Sequence, residues 1–112
     1  MNISVKDVGG VSVVGVEGTI DGNTAPQAQE QILPLIGGGC KLLLDMSLVE
    51  FMSSAGLRMM LLLFRRVTGE GGRIVLSGLS EEIKDTMSLT GFLDFFATSD
   101  NVDSGLTALA NT

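Results

Sequence analysis

The chain contains no histidine, tryptophan or tyrosine, and only one cysteine among its 112 residues. Each absence removes a class of chemistry. Histidine is the commonest general base near neutral pH and the commonest transition-metal ligand, so its absence argues against both roles. One thiol can neither close an intrachain disulfide nor supply a zinc-thiolate set, and no metal or cofactor is expected. Cys40, between three glycines and a leucine run, reads as an inert thiol at a strand start. The longest uninterrupted apolar run, Met59 to Phe64, is far too short to span a bilayer. The opening residues, Met-Asn-Ile-Ser-Val-Lys-Asp, carry neither an apolar signal core nor a small-residue cleavage site. A cytoplasmic setting without a membrane partner is therefore expected.

Basic charge is also scarce. Seven Lys and Arg stand against thirteen Asp and Glu, for a formal net charge of −6. Nucleic acid is a poor partner for such a chain, because phosphate contacts need a basic surface. The scarcity is uneven. Residues 1–40 hold one Lys against four acids, and residues 74–112 hold one Lys against six. Residues 41–73 reverse this, with five basic residues against three acids. The local basic excess is either a solvated helix face or a patch that meets a partner.

What is present is enough for one domain over residues 1–112, with 45% hydrophobic residues to build its core. Two β-prone runs, Ile3–Val8 and Val11–Val16, flank Gly9-Gly10 and predict an antiparallel hairpin. Residues 18–22 read as a loop. Thr24 is a candidate cap for a helix with Pro26 in its first turn, running to about Ile36 with its end disturbed by Pro34. Lys41–Met46 reads as a short strand buried on both faces. A second helix follows Ser53 and Ser54 and stops near residues 69–72, and Arg73–Leu76 reads as another strand. Ser80 caps a third helix over Glu81–Leu89. A last short strand is expected within Phe92–Ala97, and a terminal helix over Val102–Ala110. This order predicts an α/β fold: a mixed sheet with an opening antiparallel hairpin, then β-α crossovers, packed with about four helices.

The informative stretch is Ser53-Ser54-Ala55-Gly56-Leu57, which opens the apolar second helix directly after a strand. A serine there is either a plain cap, whose oxygen accepts a first-turn N–H, or a phosphorylation switch at a place that favours negative charge. Reading the helix at 100° per residue puts Leu57, Met60, Leu61, Phe64 and Val67 on the sheet-facing arc. Met59, Leu62 and Leu63 fall largely opposite, beside Arg66. They either touch a neighbouring helix or form an exposed apolar patch flanked by arginines. A serine hydrolase fits poorly, since there is no His base and Ser-Ala-Gly is not a nucleophile elbow. The glycine runs at 37–39 and 69–72 lack the Gly-Lys-Ser/Thr of a P-loop.

These residues together resemble a STAS domain, and within that family a stand-alone bacterial anti-sigma factor antagonist. The resemblance spans essentially the whole chain. Gly18-Thr19-Ile20-Asp21 is similar to the family's Gly-x-Leu-Asp, and Leu42-Leu43-Leu44-Asp45-Met46-Ser47-Leu48-Val49-Glu50-Phe51-Met52 to its strand-and-loop Leu-Asp-Leu-Ser-x-Val-x-Phe-Met. Ser53-Ser54-Ala55-Gly56-Leu57 matches the Asp-Ser-Ser/Ala-Gly-Leu around the family's phosphoserine. Gly72-Arg73-Ile74-Val75-Leu76 and Leu89-Thr90-Gly91-Phe92-Leu93 add weaker support. One departure stands out: Ser53 occupies the usual Asp position, so two adjacent hydroxyls are available.

The resemblance implies a non-enzymatic protein switch. Ser54, with Ser53 as the alternative, would receive phosphate from an anti-sigma factor that is also a serine kinase. The unphosphorylated form would bind that kinase and free a sigma factor, and a PP2C-type phosphatase would reset the cycle. The implied partner-binding residues are Asp21, Ser53, Ala55, Gly56, Arg58, Met59 and Leu62. The alternative is a STAS scaffold subunit of a lipid-transport or stressosome-like assembly, without a phosphoswitch.

Overall fold

The computed structural model describes residues 1–110; the last two positions of the expected 1–112 domain lie outside the described residues. Five strands form one sheet in the order β1-β2-β3-β4-β5. They are β1 (Asn2–Val8), β2 (Val11–Ile20), β3 (Lys41–Met52), β4 (Arg73–Ser77) and β5 (Ala97–Ser99). The β1–β2 pair is antiparallel and the other three pairs are parallel. Gly9 and Gly10 both have positive φ, 58° and 86°, as a tight two-residue hairpin turn demands.

Among the described residues four α-helices complete the fold: α1 (Ala25–Ile32), α2 (Ser54–Gly69), α3 (Glu81–Leu89) and α4 (Val102–Ala110). The strands from β2 to β5 step across the sheet in one direction. Crossovers of one hand must then place α1, α2 and α3 on the same face. Their apolar residues join Val14, Val16, Leu42, Leu44 and Leu76 in the larger core. On the opposite face α4 packs over a smaller cluster of Val11, Val13, Leu43, Val75 and Leu109. Leu42, Leu43 and Leu44 are all buried because β3 carries a core on each side.

Four elements differ from the sequence reading. The last strand runs over Ala97–Ser99 and not within the expected Phe92–Ala97, because Leu93–Phe95 form a 3-10 turn first. Residues 18–20 continue β2 instead of forming a loop, because Gly18, Thr19 and Ile20 pair with the far end of β3. The first helix stops at Ile32 and passes into a 3-10 turn at Leu33–Leu35, since Pro34 cannot continue the α ladder. The third strand is twelve residues long, and its second half is irregular. Between Gly15 and Glu17, and again between Gly18 and Thr19, β3 contains one more residue than β2. Two bulges thus turn the strand's two-residue period into three. Met46, Val49 and Met52 enter the core, while Leu48 and Phe51 are left in solvent.

Candidate functional site

The ends of β2 and β3 meet at the start of α2. The Ser53 N–H donates to the Ile20 carbonyl at 2.9 Å, joining the two strand ends one residue before Asp21 and one before Ser54. Gly56 makes that meeting possible. A Cβ there would lie 2.6 Å from Met52 Cγ and 2.9 Å from the Ile20 carbonyl oxygen, so the first helical turn sits directly on the strand ends.

The two serines divide their duties. Ser53 is the N-cap, with extended backbone (φ −80°, ψ 177°), and its Oγ accepts from the Gly56 N–H at 3.4 Å. Ser54 is the first helical residue and is exposed, and its hydroxyl makes no hydrogen bond among the described residues. The capping reading therefore belongs to Ser53 and not to Ser54. A modification at Ser54 would displace no existing hydrogen bond.

Asp21 holds the opposite side of the junction. Its Oδ1 accepts from the N–H groups of Asn23 at 2.9 Å and Thr24 at 3.1 Å. These two backbone donors, Asn23 foremost, hold the carboxyl below the usual carboxylate range, and the Thr24 hydroxyl adds to the effect. Thr24 does not use its hydroxyl as a helix cap as expected. Its Oγ1 accepts from the Asp21 N–H at 2.9 Å and donates to the Thr19 carbonyl at 2.8 Å, so it braces the turn. Asp21 is thus kept anionic beside the strand junction.

Along α2 the buried arc is rotated by roughly a sixth of a turn from the expected one, counting 100° per residue. Gly56, Leu57, Met59, Met60, Leu63 and Val67 are buried. Leu61 and Phe64 lie half-buried on the flank, Phe64 with its ring centroid 5.5 Å from that of Phe95 and 5.4 Å from that of Phe96. The cause is α1, which packs beside α2 and brings Ala25, Ala28 and Ile32 into the same apolar cluster. The helix must therefore bury a side toward α1 as well as a side toward the sheet.

Two expected partner contacts are corrected by this packing. Met59 is only 2% exposed and belongs to the core, and Gly56 is buried against Met52 and Ile20. Neither presents a side chain to a partner. Asp21, Ser53, Ala55 and Leu62 remain partly accessible, and Arg58 is exposed.

By helical angle, Ser54, Arg58, Leu61, Leu62 and Arg65 share the solvent side of α2. The helix contains three arginines and no acid, and none of the three is in an ion pair among the described residues. Sequence reasoning missed Leu48 and Phe51, which are 61% and 58% exposed at the end of β3. The available signal was the three-residue spacing of Met46, Val49 and Met52, which no regular strand produces.

The whole arrangement describes a binding module more readily than a catalyst. A small mixed sheet presents one unbonded serine hydroxyl at a helix start, between an anchored carboxylate and a row of free guanidinium groups. Among the described residues no group of His, Cys, Asp and Glu could hold a metal ion, and no helix is long and apolar enough to cross a membrane.

The chain belongs to the STAS domain family, whose sequence model matches residues 2–105. The anti-sigma-B factor antagonist of Bacillus subtilis strain 168 is 30% identical over 106 residues, covering 95% of this chain and 97% of that protein. An anti-sigma factor antagonist from Mycobacterium paratuberculosis superposes with a TM-score of 0.85 at 30% identity, over 97% of this chain and 93% of its own. A chain from the stressosome, a signal integration and transduction hub, is 27% identical with a TM-score of 0.76, covering 96% of each.

Proposed function

We propose that this protein is an anti-sigma factor antagonist controlled by phosphorylation of Ser54. The carrying observation is the division of labour at the start of α2. Ser53 caps the helix, and Ser54 stands exposed with its hydroxyl unengaged. In the unphosphorylated state the protein binds an anti-sigma factor through Asp21, Ser53, Ala55, Arg58 and Leu62, and a sigma factor is released. That anti-sigma factor is itself the serine kinase, and a PP2C-type phosphatase removes the phosphate. The protein acts as ligand and substrate, not as an enzyme, in the cytoplasm.

Phosphate adds about −1.5 to −2 charges and three strong acceptors. At a helix start it can accept first-turn N–H groups, so the fold tolerates it. Arg58, one turn on and on the same side, can pair with it. For a docked partner the same group is bulk and charge where a neutral hydroxyl was buried. A coupling of only about 1–3 kcal/mol changes affinity by one to two decades.

The test is an intact mass with phosphosite mapping on protein from its native cells, together with partner binding by Ser54→Asp. One phosphate at Ser54 and loss of binding by the variant support the switch. Phosphate on Ser53 would move the site. The likeness to the stressosome chain favours a second reading, a scaffold subunit without a switch. In that case no phosphate is found, and Ser54→Asp assembles as the unmodified protein does.

A further inference from the structure

Leu48 and Phe51 are large apolar side chains left in solvent on the bulged half of β3 that leads to Ser54, and their exposure is built into the backbone. Two extra residues in β3 relative to β2 re-aim the strand, so that each exposed position falls between core-bound neighbours. Among the described residues no strand covers this segment on its second side, because β4 pairs only with Lys41–Asp45. An isolated exposed leucine is unremarkable, but two in one short segment, beside a functional junction, call for a reason.

We propose that Leu48 and Phe51 are the apolar anchors of the same partner that reads Ser54. The inference rests on the reading of Ser54 as the partner-facing switch. Continuity carries the first half of the argument. Phe51 is three residues before Ser54, which holds their Cα atoms within about 10 Å. A protein that buries the serine under an interface of ordinary size has the phenyl ring within its reach. Aromatic anchors near the centre of an interface commonly carry most of its affinity.

Charge carries the second half and defines the partner's chemistry. On the far side of Ser54, the outer face of α2 offers Arg58, Arg65 and Arg66 with no acid in the helix. On the near side, Glu50 stands exposed between Leu48 and Phe51. The footprint is thus apolar and acidic at the β3 end and basic along α2. The complementary occupant is a folded protein surface with an apolar pocket for Phe51 and an acidic patch set to one side for the arginines. Such an arrangement fixes the partner's orientation as well as its affinity. Phosphate on Ser54 would fall between the two zones, where both sets of contacts must close together.

The experiment is photo-crosslinking in the native cells, with p-benzoylphenylalanine replacing Phe51, Arg58 or Leu89 in separate strains. Leu89, at 89% exposed, lies at the end of α3 and serves as the control. The expected result is one adduct, identified by mass spectrometry as the same anti-sigma factor, from positions 51 and 58 and not from 89, and absent when Ser54→Asp is added. With that partner purified, Phe51→Ser and Leu48→Ser should each weaken binding at least tenfold without moving the thermal midpoint. An adduct from 58 but not 51, or unchanged affinity in both serine variants, overturns the anchor role and leaves the Ser54 switch intact. Crosslinking of position 51 to a second copy of this chain also overturns it. No adduct from either position removes the underlying reading of the site itself.

Discussion

The two halves of β3 follow opposite rules within one continuous strand. From Leu42 to Asp45 it pairs on both sides, with β2 and β4, and places leucines in both cores. From Met46 to Met52 it pairs with β2 alone, carries two bulges, and buries every third residue. The first half is uniform because neighbours on all sides demand apolar, regular backbone. The second half has freedom to be irregular because one edge is open, and it delivers the chain to the exposed serine. Enclosed and exposed segments are thus adjacent on the chain but governed by different constraints.

Truncating one residue in each half should separate the two most strongly. Leu44→Ala, at a position almost wholly enclosed, should cost about 2–5 kcal/mol in denaturant unfolding, while Phe51→Ala should stay within about 0.5 kcal/mol. Similar losses from both would show that the bulged half is as structural as the paired half.

The hinge between the halves and α2 comes next. Gly56→Ala should destabilise by about 1–3 kcal/mol, because the new methyl meets a carbonyl oxygen of the backbone at 2.9 Å and not a flexible side-chain tip alone. A smaller effect in thermal melts would mean that α2 can lift from the strand ends. Smaller still is the cap. Ser53→Ala should cost about 0.5–1 kcal/mol, at the lower end for caps given its long 3.4 Å bond, and Ser54→Ala close to nothing. Equal costs for the two serines would contradict the division between them.

The smallest effect is acid-dependent. Asp21 is held below its ordinary value by the Asn23 and Thr24 N–H groups, so it binds its proton less readily folded than unfolded. Its contribution is fully present above the unfolded-state value, about 3.9, and fades as pH falls through the lowered folded value. Asp21→Asn should therefore narrow its stability gap from the parent as pH drops below about 4 in equilibrium unfolding. A gap that widens instead would reverse the sign of the carboxyl's role.

Much of this protein was legible from local pattern. The glycine pair between valine runs marked the hairpin, Ser80 marked the start of α3, and the boundaries of α4 matched the structure. Ser53 and Ser54 were recognisable as a helix start because hydroxyls before an apolar run have few other uses. The local pattern could not divide capping from exposure between them, since either serine satisfies the same rule. It also misplaced Met59, because helical periodicity defines an arc but not which neighbours will cover it.

Local sequence alone was enough for the alternation of strands and helices, the α/β class, and the serine pair at the start of α2. Those follow from turn residues, caps and apolar spacing, all of which act within a few positions along the chain. Only the tertiary structure decided which side of α2 is buried, which serine remains free, and that Leu48 and Phe51 stand in solvent. Each depends on a distant partner: α1 beside α2, the Ile20 carbonyl beneath Gly56, and the register of β2 against a longer β3. Contacts between residues far apart in sequence leave at most an indirect spacing, as Met46, Val49 and Met52 do, and become readable once the chain has folded.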